Sequence, residues 1–435
     1  MGKFSSTVAA LFPRSGFARN IAVMSSATAI GQGIAILAAP ILTRLYTPED
    51  FGALGIYASL LGILCVVASL RFEQAIPLPR SDRVASNVVI LALAVGVASS
   101  VLVLVCTVAL APMISRQLNI DIDRYFVYLL PLGVLLATTY QVLYCWALRK
   151  GSYKPIAQAT IVQGSGATAT QLTLGAFGAG SLGLIIGQVI GQSAGISNLL
   201  RVFRNGWSGV LDGNPPRSLS RVARRYRRFP LVFTWSALLN SIGLMGPALL
   251  IASFYGASVV GWYALVQRVL GAPITLLGRS ITGVYFTESA RLAREEPKEL
   301  ASLFLRLLKK LVLIGCGTII PIGLLSPYAF PLIFGEAWAE AGRYALILVP
   351  MIFLQFVSSP FGVTLTVLER HDLALLRELI RLLSLGSVLL FVGLRGLSAE
   401  TAIISLSTAG TLTYLAHIAI SWKAITARVT AKSKQ

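Results

Sequence analysis

Long apolar stretches alternate with short polar breaks along the whole chain. The apolar core of a bilayer is about 30 Å thick and needs roughly 20 helical residues to cross it, and most of the uncharged stretches reach that length. The uncharged run 155–200 is long enough for two crossings and contains a turn sequence at 178–181. We predict twelve membrane-spanning helices, over residues 21–45, 51–71, 87–110, 125–148, 155–177, 181–200, 229–253, 259–287, 311–334, 344–368, 379–395 and 401–422.

Composition narrows the class of protein further. Hydrophobic residues make up 55% and charged residues 12% of the 435 residues, with a mean hydropathy of +0.76, whereas soluble chains carry about 25% charge. A soluble enzyme is therefore excluded. An outer-membrane barrel is excluded as well, because its strands would alternate with period two over about ten residues. The predicted fold class is an all-α polytopic membrane protein.

The net charge of +20 is distributed unevenly between the two sides of this topology. Thirty of the 37 Lys and Arg residues fall in every second connection between the predicted helices. Connections rich in Lys and Arg face the cytoplasm. Both termini are therefore predicted in the cytoplasm, and no nucleic-acid partner is needed to explain the charge. The eleventh helix has only 13 uncharged residues, between Arg381 and Arg395. An eleven-span alternative would put the basic C-terminal tail outside, so it is disfavoured.

The largest polar break follows the sixth predicted helix and contains eight Arg residues. It favours a division into two six-helix bundles, a frequent transporter architecture. A faint internal repeat agrees with this division, because Tyr46 and Gly52 recur as Tyr255 and Gly261 at an offset of 209. The predicted units are an N-terminal bundle at 1–200, a basic cytoplasmic linker at 201–228, a C-terminal bundle at 229–422 and a cytoplasmic tail at 423–435.

Helices five and six are rich in amide and hydroxyl side chains, which seldom face lipid. Gln188 and Gln192 are four residues apart and share one helix face. Gly187 and Gly191 form a neighbouring ridge of small residues that lets another helix approach. Two interpretations stay open: the polar residues serve packing between helices, or they line a hydrated cavity suited to sugar hydroxyls.

Two arginines lie inside the eighth predicted helix, where a charge costs at least about 2.5–3.5 kcal/mol. Arg268 is about 13 Å from the start of that helix at 1.5 Å per residue, too deep for easy snorkelling. Arg279 follows after three turns and is predicted on nearly the same face, with a kink expected at Pro273. We interpret Arg268 as an anion-binding residue; for Arg279, cavity lining and snorkelling to the inner surface both stay open.

The acidic residues point the same way. None of the seventeen lies in the middle of a predicted span, so no carboxylate is available for proton or sodium coupling, the usual device of ion-coupled exporters. A cavity with basic residues and no acids should prefer an anionic substrate.

Catalytic and metal chemistry has little support in this sequence. The cysteines are scattered singly through the spans, which predicts neither disulfides nor a metal site. Asp121 and Asp123 form a D-x-D match, the feature that would favour a membrane glycosyltransferase or polymerase. We interpret both as charges at the start of helix four. No catalytic residue, metal or cofactor is predicted.

A motif at 40–52, P-I-L-T-R-L-Y-T-P-E-D-F-G, is followed by Tyr57 and by R-F-E-Q-A-I-P at 71–77. These segments resemble the bacterial polysaccharide transporter family, the lipid-linked oligosaccharide flippases of the multidrug/oligosaccharidyl-lipid/polysaccharide exporter superfamily. The resemblance implies alternating access of two six-helix bundles, moving undecaprenyl-diphosphate-linked oligosaccharide to the periplasmic leaflet of the inner membrane. Arg44 matches the arginine of the family motif and is a second binding candidate, with snorkelling at a helix end as its alternative.

The resemblance and the residues together predict a flippase for an anionic, glycan-bearing lipid, and not an enzyme. An ion-coupled multidrug exporter of the related fold is the main alternative, and a membrane glycosyltransferase or polymerase the other. The expected partners are undecaprenyl-diphosphate-linked oligosaccharide, membrane lipids, and a polysaccharide polymerase with its chain-length machinery. The arginines at 221–228 satisfy topology, and they could also hold anionic lipid headgroups.

Overall fold

The computed structural model describes residues 16–118, 124–207 and 219–432; a few residues inside these ranges, Arg279 among them, are described by their backbone alone. Asp121 and Asp123 lie outside the described residues, as does the middle of the basic linker, 208–218. Every regular element in the described ranges is helical.

Sixteen α-helices follow one another in the described parts of the chain: α1 Gly16–Leu45, α2 Pro48–Ala68, α3 Asp82–Leu118, α4 Arg124–Arg149, α5 Tyr153–Ala176, α6 Gly180–Ala194, α7 Ile196–Trp207, α8 Leu219–Arg225, α9 Thr234–Tyr255, α10 Ala257–Leu270, α11 Ala272–Glu295, α12 Pro297–Phe334, α13 Ala339–Ser358, α14 Thr364–Val367, α15 His371–Leu394 and α16 Ala399–Lys432. A π-helical turn, Phe229–Phe233, leads into α9, and short 3-10 turns lie at Phe72–Ala75, Glu336–Trp338 and Ser359–Val363.

These helices make twelve crossings, because α6 with α7, α10 with α11, and α13 with α14 each form one interrupted crossing. Within the described ranges, nine crossings are long and apolar enough to span a membrane by length and composition alone. The other three are α5, which is rich in Gln and Thr, the interrupted pair α10–α11, and the charged α15. Each of them packs on neighbouring crossings: α5 on α1 and α6, α10 on α2, and α15 on α9 and α16. The predicted all-α fold is confirmed.

The crossings form two bundles, the N bundle (α1–α7) and the C bundle (α9–α16). Within the N bundle α1 packs on α5 and α5 on α6, and within the C bundle α13 packs on α12 and α16. Between the bundles α2 packs on α9 and α10, while α1 packs on α11. We call the end that holds the first helix connection the Tyr46 end, and the end that holds the connection after α4 the Arg149 end.

The eighth crossing is broken where a kink was expected. Helix α10 ends at Leu270, and α11 begins at Ala272 with Pro273 in its first turn. Proline lacks the N–H that a continuous helix would need. Arg268 and Arg279 therefore lie on the two parts of a broken crossing. The Arg279 side chain is outside the described part of the structure, so the expectation that the two arginines share one face stays a prediction.

The eleventh crossing is longer than its uncharged core. Helix α15 has 24 residues, about 36 Å at 1.5 Å per residue, so it can cross the bilayer. It buries Glu378, which is 7% exposed, and the carboxylate pairs with Arg377 at 2.8 Å and with Arg381. The expectation that acids only flank the spans needs this correction: two arginines neutralise one carboxylate inside the C bundle, which makes its burial possible.

Candidate functional site

A cavity of about 950 Å³ lies between the two bundles, and we call it the central cavity. Its walls come from α1, α2, α5 and α6 of the N bundle and from α10, α11 and the turn Ser359–Val363 of the C bundle. The volume falls at the upper end of the roughly 300–1,000 Å³ typical of small-molecule sites. Glycines and polar side chains make up much of the lining.

Arg268 carries the only charge among the described lining residues of the central cavity. Its Nη2 donates a hydrogen bond of 2.9 Å to the carbonyl oxygen of Ala35. That oxygen belongs to α1, so the guanidinium links the C bundle to the N bundle. A guanidinium has five donors, and the remaining N–H groups can bind an anion in the cavity.

Amide side chains occupy the opposite wall. Gln188 and Gln192 both line the central cavity, as one face of α6. Beside them, a Cβ on Gly187 would lie 2.4 Å from the Gln171 side chain, and one on Gly191 would lie 2.6 Å from that of Ala167. The glycines therefore allow α5 and α6 to pack closely while the glutamines face the cavity. Within this segment, Gly187 and Gly191 serve the packing between helices, and Gln188 and Gln192 line the cavity.

The structure adds lining residues that the sequence analysis did not select. Thr28 and Gln32 come from α1, and Thr275 and Thr282 come from α11. The only sequence signal for the first pair is their spacing of four, which places two polar groups on one face of an apolar helix. A pair of isolated polar residues is too common in membrane helices to identify a cavity.

Neither of the other two arginine candidates is among the described residues that line the central cavity. Arg44 is exposed at the Tyr46 end and is not among the described lining residues. Arg279 lies in α11, one residue after the lining residue Gly278, but its side chain is outside the described part of the structure. The structure thus brings together Arg268, Gln188 and Gln192 of the five candidates.

The Tyr46 end of the central cavity is closed by contact between α2 and α10. A Cβ on Gly52 would lie 1.9 Å from the Ala257 carbonyl oxygen, and a Cβ on Gly261 would lie 1.8 Å from that of Pro48. Only glycine permits this approach of two backbones. The two contacts are related by the same 209-residue offset as the internal repeat, so the repeated segments pack on each other.

Side chains of the 40–52 motif complete this closure. Ser258 donates a hydrogen bond to Glu49 across the bundles. The indole of Trp338 is fully buried, and its N–H donates a hydrogen bond of 3.0 Å to the Thr43 carbonyl oxygen. The Trp338 and Phe51 rings pack edge to face, with 4.9 Å between their centroids. Toward the Arg149 end the lining residue Phe286 is 44% exposed. The central cavity is therefore closed at the Tyr46 end, and its lining extends to the half-exposed Phe286 toward the Arg149 end.

Comparison with known proteins identifies relatives in polysaccharide biosynthesis. Residues 41–343 match the family described as polysaccharide biosynthesis protein. The teichuronic acid biosynthesis protein TuaB of Bacillus subtilis (strain 168) is 27% identical over 195 residues, 44% of this chain and 39% of TuaB. The succinoglycan biosynthesis transport protein ExoT of Rhizobium meliloti (strain 1021) is 22% identical over 311 residues, 71% of this chain and 60% of ExoT. The chain thus spans between two fifths and three fifths of these relatives.

Among solved structures, the fold is similar to the inward-facing conformation of a multidrug resistance MATE family transporter of the MOP superfamily. The TM-score is 0.74 at 15% identity, over 92% of this chain and 96% of that one. The structural similarity establishes the shared fold of two six-helix lobes, and at 15% identity it establishes the fold alone.

Proposed function

Since this chain belongs to the polysaccharide biosynthesis protein family, as a polysaccharide transporter of the multidrug/oligosaccharidyl-lipid/polysaccharide (MOP) superfamily, we propose that it flips undecaprenyl-diphosphate-linked oligosaccharide. The substrate would move from the cytoplasmic to the periplasmic leaflet of the bacterial inner membrane, for cell-surface polysaccharide biosynthesis. The observation that carries this proposal is Arg268, the one charged side chain among the described residues that line an amide-rich cavity closed at one end.

The chemistry of such a substrate matches the two walls of the central cavity. The polyprenyl tail stays in lipid, whereas the diphosphate and the glycan cannot cross hydrocarbon without polar partners. Arginine forms charge-assisted contacts to phosphate oxygens, worth about 1.5–3 kcal/mol each, and Arg268 supplies that group. Gln188 and Gln192 offer both donors and acceptors, which is what sugar hydroxyls require.

The charge distribution supports the proposed direction of transport. Basic residues concentrate at the Arg149 end, which the positive-inside rule assigns to the cytoplasm. The cavity would then load from the cytoplasm while the α2–α10 contact shuts the periplasmic side. Release requires a second state in which residues 1–200 rotate against 229–422, so that the Tyr46 end opens. Arg44, exposed at that end, would meet the diphosphate only in the second state.

An ion-coupled multidrug exporter is the alternative, and no specific observation favours it. The described lining of the central cavity contains no carboxylate. Glu378, buried in the C bundle, is already neutralised by Arg377 and Arg381. A proton or sodium ion binding there would have to compete with two guanidinium groups, which disfavours the carboxylate as a coupling site.

The test is leaflet exchange of a fluorescent undecaprenyl-diphosphate oligosaccharide in liposomes that contain the purified protein. Wild-type protein should accelerate exchange above that of empty liposomes. Arg268→Ala should slow exchange roughly 10- to 150-fold, the loss of one arginine–phosphate contact. Arg395→Ala is the matched control, because Arg395 is exposed at a helix end and lies over Phe391.

The outcomes separate function from site. Exchange that is equal in all three proteins would keep the flippase and remove Arg268 from the site. Exchange no faster than in empty liposomes, with or without a proton or sodium gradient, would refute the flippase. Gradient-driven efflux of a cationic drug would then support the exporter instead.

A further inference from the structure

A second cavity of about 420 Å³ lies within the N bundle, among α2, α4, α5 and α6. We call it the side cavity. It shares Gln163, Gln188 and Gln192 with the central cavity, so the same amides line both spaces. Its volume lies within the range of small-molecule sites, roughly 300–1,000 Å³.

The far end of the side cavity is formed by the second family-like segment, R-F-E-Q-A-I-P. Arg71 and Glu73 both line it, with 3.7 Å between guanidinium nitrogen and carboxylate oxygen. Glu73 is 2% exposed and accepts a hydrogen bond from Ser69. Leu70 and Arg71 have φ angles of 49° and 60°. Residues other than glycine adopt this left-handed backbone conformation only where the surrounding structure enforces it.

Two polar groups of the side cavity have no partner among the described residues. The hydroxyl of Thr138 is buried without a hydrogen bond, on a residue that is 5% exposed. The Nε of Arg71 is in the same condition. Buried polar groups are nearly always hydrogen-bonded, and each exception calls for an explanation. Both residues line the side cavity, so a rotation of each side chain would turn its unpartnered group toward a bound ligand with hydroxyl groups, which would satisfy it.

The charges of the side cavity select the class of ligand. The Arg71–Glu73 pair is neutral as a whole, so a diphosphate would meet a carboxylate and a metal cation would meet a guanidinium. A neutral polyhydroxyl ligand meets neither obstacle. It can accept from Arg71 and donate to Glu73, and it can do both with the amides of Gln141 and the shared glutamines. The ring of Tyr140, which also lines the cavity, offers an apolar face.

We propose that the side cavity is a glycan subsite, in which a neutral sugar of the substrate binds to Arg71, Glu73, Thr138 and Gln141 while Arg268 holds the diphosphate. This inference rests on the proposed function for its substrate. It assigns the two chemical parts of the substrate to different places: the sugar lies within the N bundle, and the anion at the interface between bundles. The segment at 71–77 then takes part in recognition.

The decisive variant is Thr138→Val, which replaces the unpaired hydroxyl by a methyl group of the same size. A purely structural role predicts no loss, because no hydrogen bond within the protein is broken. The glycan subsite predicts about tenfold weaker binding of the sugar. Thr139→Val is the matched control on the same helix, since its hydroxyl donates at 2.8 Å to the Leu135 carbonyl of that helix and it does not line the cavity.

The probe is the free oligosaccharide released from the lipid-linked intermediates of the host cell, and binding is measured by ligand-observed NMR. We expect saturation transfer with wild type and Thr139→Val, and a tenfold higher dissociation constant with Thr138→Val and with Gln141→Leu. Arg395→Ala, at an exposed helix end and outside the described linings of both cavities, should leave binding of the free glycan unchanged. Equal binding by Thr138→Val and wild type, or no binding by wild type at millimolar glycan, would overturn the subsite.

Lipid exchange separates this inference from the proposed function. If wild type exchanges the intact lipid and Thr138→Val exchanges it equally fast, the flippase stands and the subsite falls. If wild type binds the free glycan but exchanges no lipid, the flippase falls and the subsite stands.

Discussion

The contact of Gly52 with α10 offers the sharpest prediction about how the bundles move. In the observed state the Ala257 carbonyl oxygen would lie 1.9 Å from an alanine Cβ at Gly52, whereas ordinary contacts begin at 3.4 Å. Gly52→Ala therefore requires the two backbones to separate by about 1.5 Å. Helix propensity alone would favour alanine by about 1 kcal/mol, so any disadvantage of the variant reports on this contact.

Separating the two backbones raises the free energy of only one of the two transport states, the state with a closed Tyr46 end. Overpacking of this kind costs about 1–3 kcal/mol, and the state with an open Tyr46 end avoids it. The equilibrium should therefore shift toward the open state by roughly 5- to 150-fold. Lipid exchange should slow as well, because the closed state that loads substrate becomes less populated.

The assay is the labelling rate of a single cysteine placed at Thr43, in a variant without the four native cysteines. Thr43 is 5% exposed and lies beside the closure. A hydrophilic maleimide should modify it slowly in the parent protein and 5- to 150-fold faster in Gly52→Ala and in Gly261→Ala. Gly317→Ala is the control, since among the described residues no atom beyond its own stretch of helix lies within 4 Å of its Cβ position. Unchanged labelling in both interface variants would refute the closure.

Three further predictions concern other parts of the molecule. Glu378→Gln removes the carboxylate that two guanidinium groups share in the C bundle and should lower the free energy of unfolding by about 3–5 kcal/mol. Glu340→Gln, at an exposed ion pair, should lower it by less than about 1 kcal/mol. Equal decreases of Tm in the two variants would contradict this prediction. Trp338→Phe removes one bond between the bundles, worth about 1 kcal/mol, and should speed labelling at position 43 about fivefold; Trp262→Phe, whose bond stays within the C bundle, should not. Four exposed arginines of the basic linker are the candidates for holding anionic lipid headgroups: Arg224, Arg225, Arg227 and Arg228. Replacing them with neutral residues should weaken the binding of anionic lipid in nanodiscs by about 1 kcal/mol per charge. Unchanged binding would contradict a role of these arginines in lipid binding.

The sequence by itself determined the features that depend on local composition. Hydropathy and the positions of Lys and Arg were enough for twelve crossings, because the bilayer imposes a minimum apolar length on every helix. The break near Pro273 was also predictable, since proline removes a backbone donor wherever it stands. Arg268 was recognisable as costly to bury before its partner was known.

Only the tertiary structure decided which distant groups meet. The Ala35 carbonyl is 233 residues from Arg268 in the chain, and no local pattern relates them. The pairing of Glu378 with two arginines, the exclusion of Arg44 from the cavity, and the side cavity around Thr138 likewise depend on how whole helices pack. Membrane helices have similar apolar surfaces, so their sequences specify crossing far more strongly than they specify neighbours; close contacts between small residues, such as Gly52 and Gly261, fix those neighbours instead.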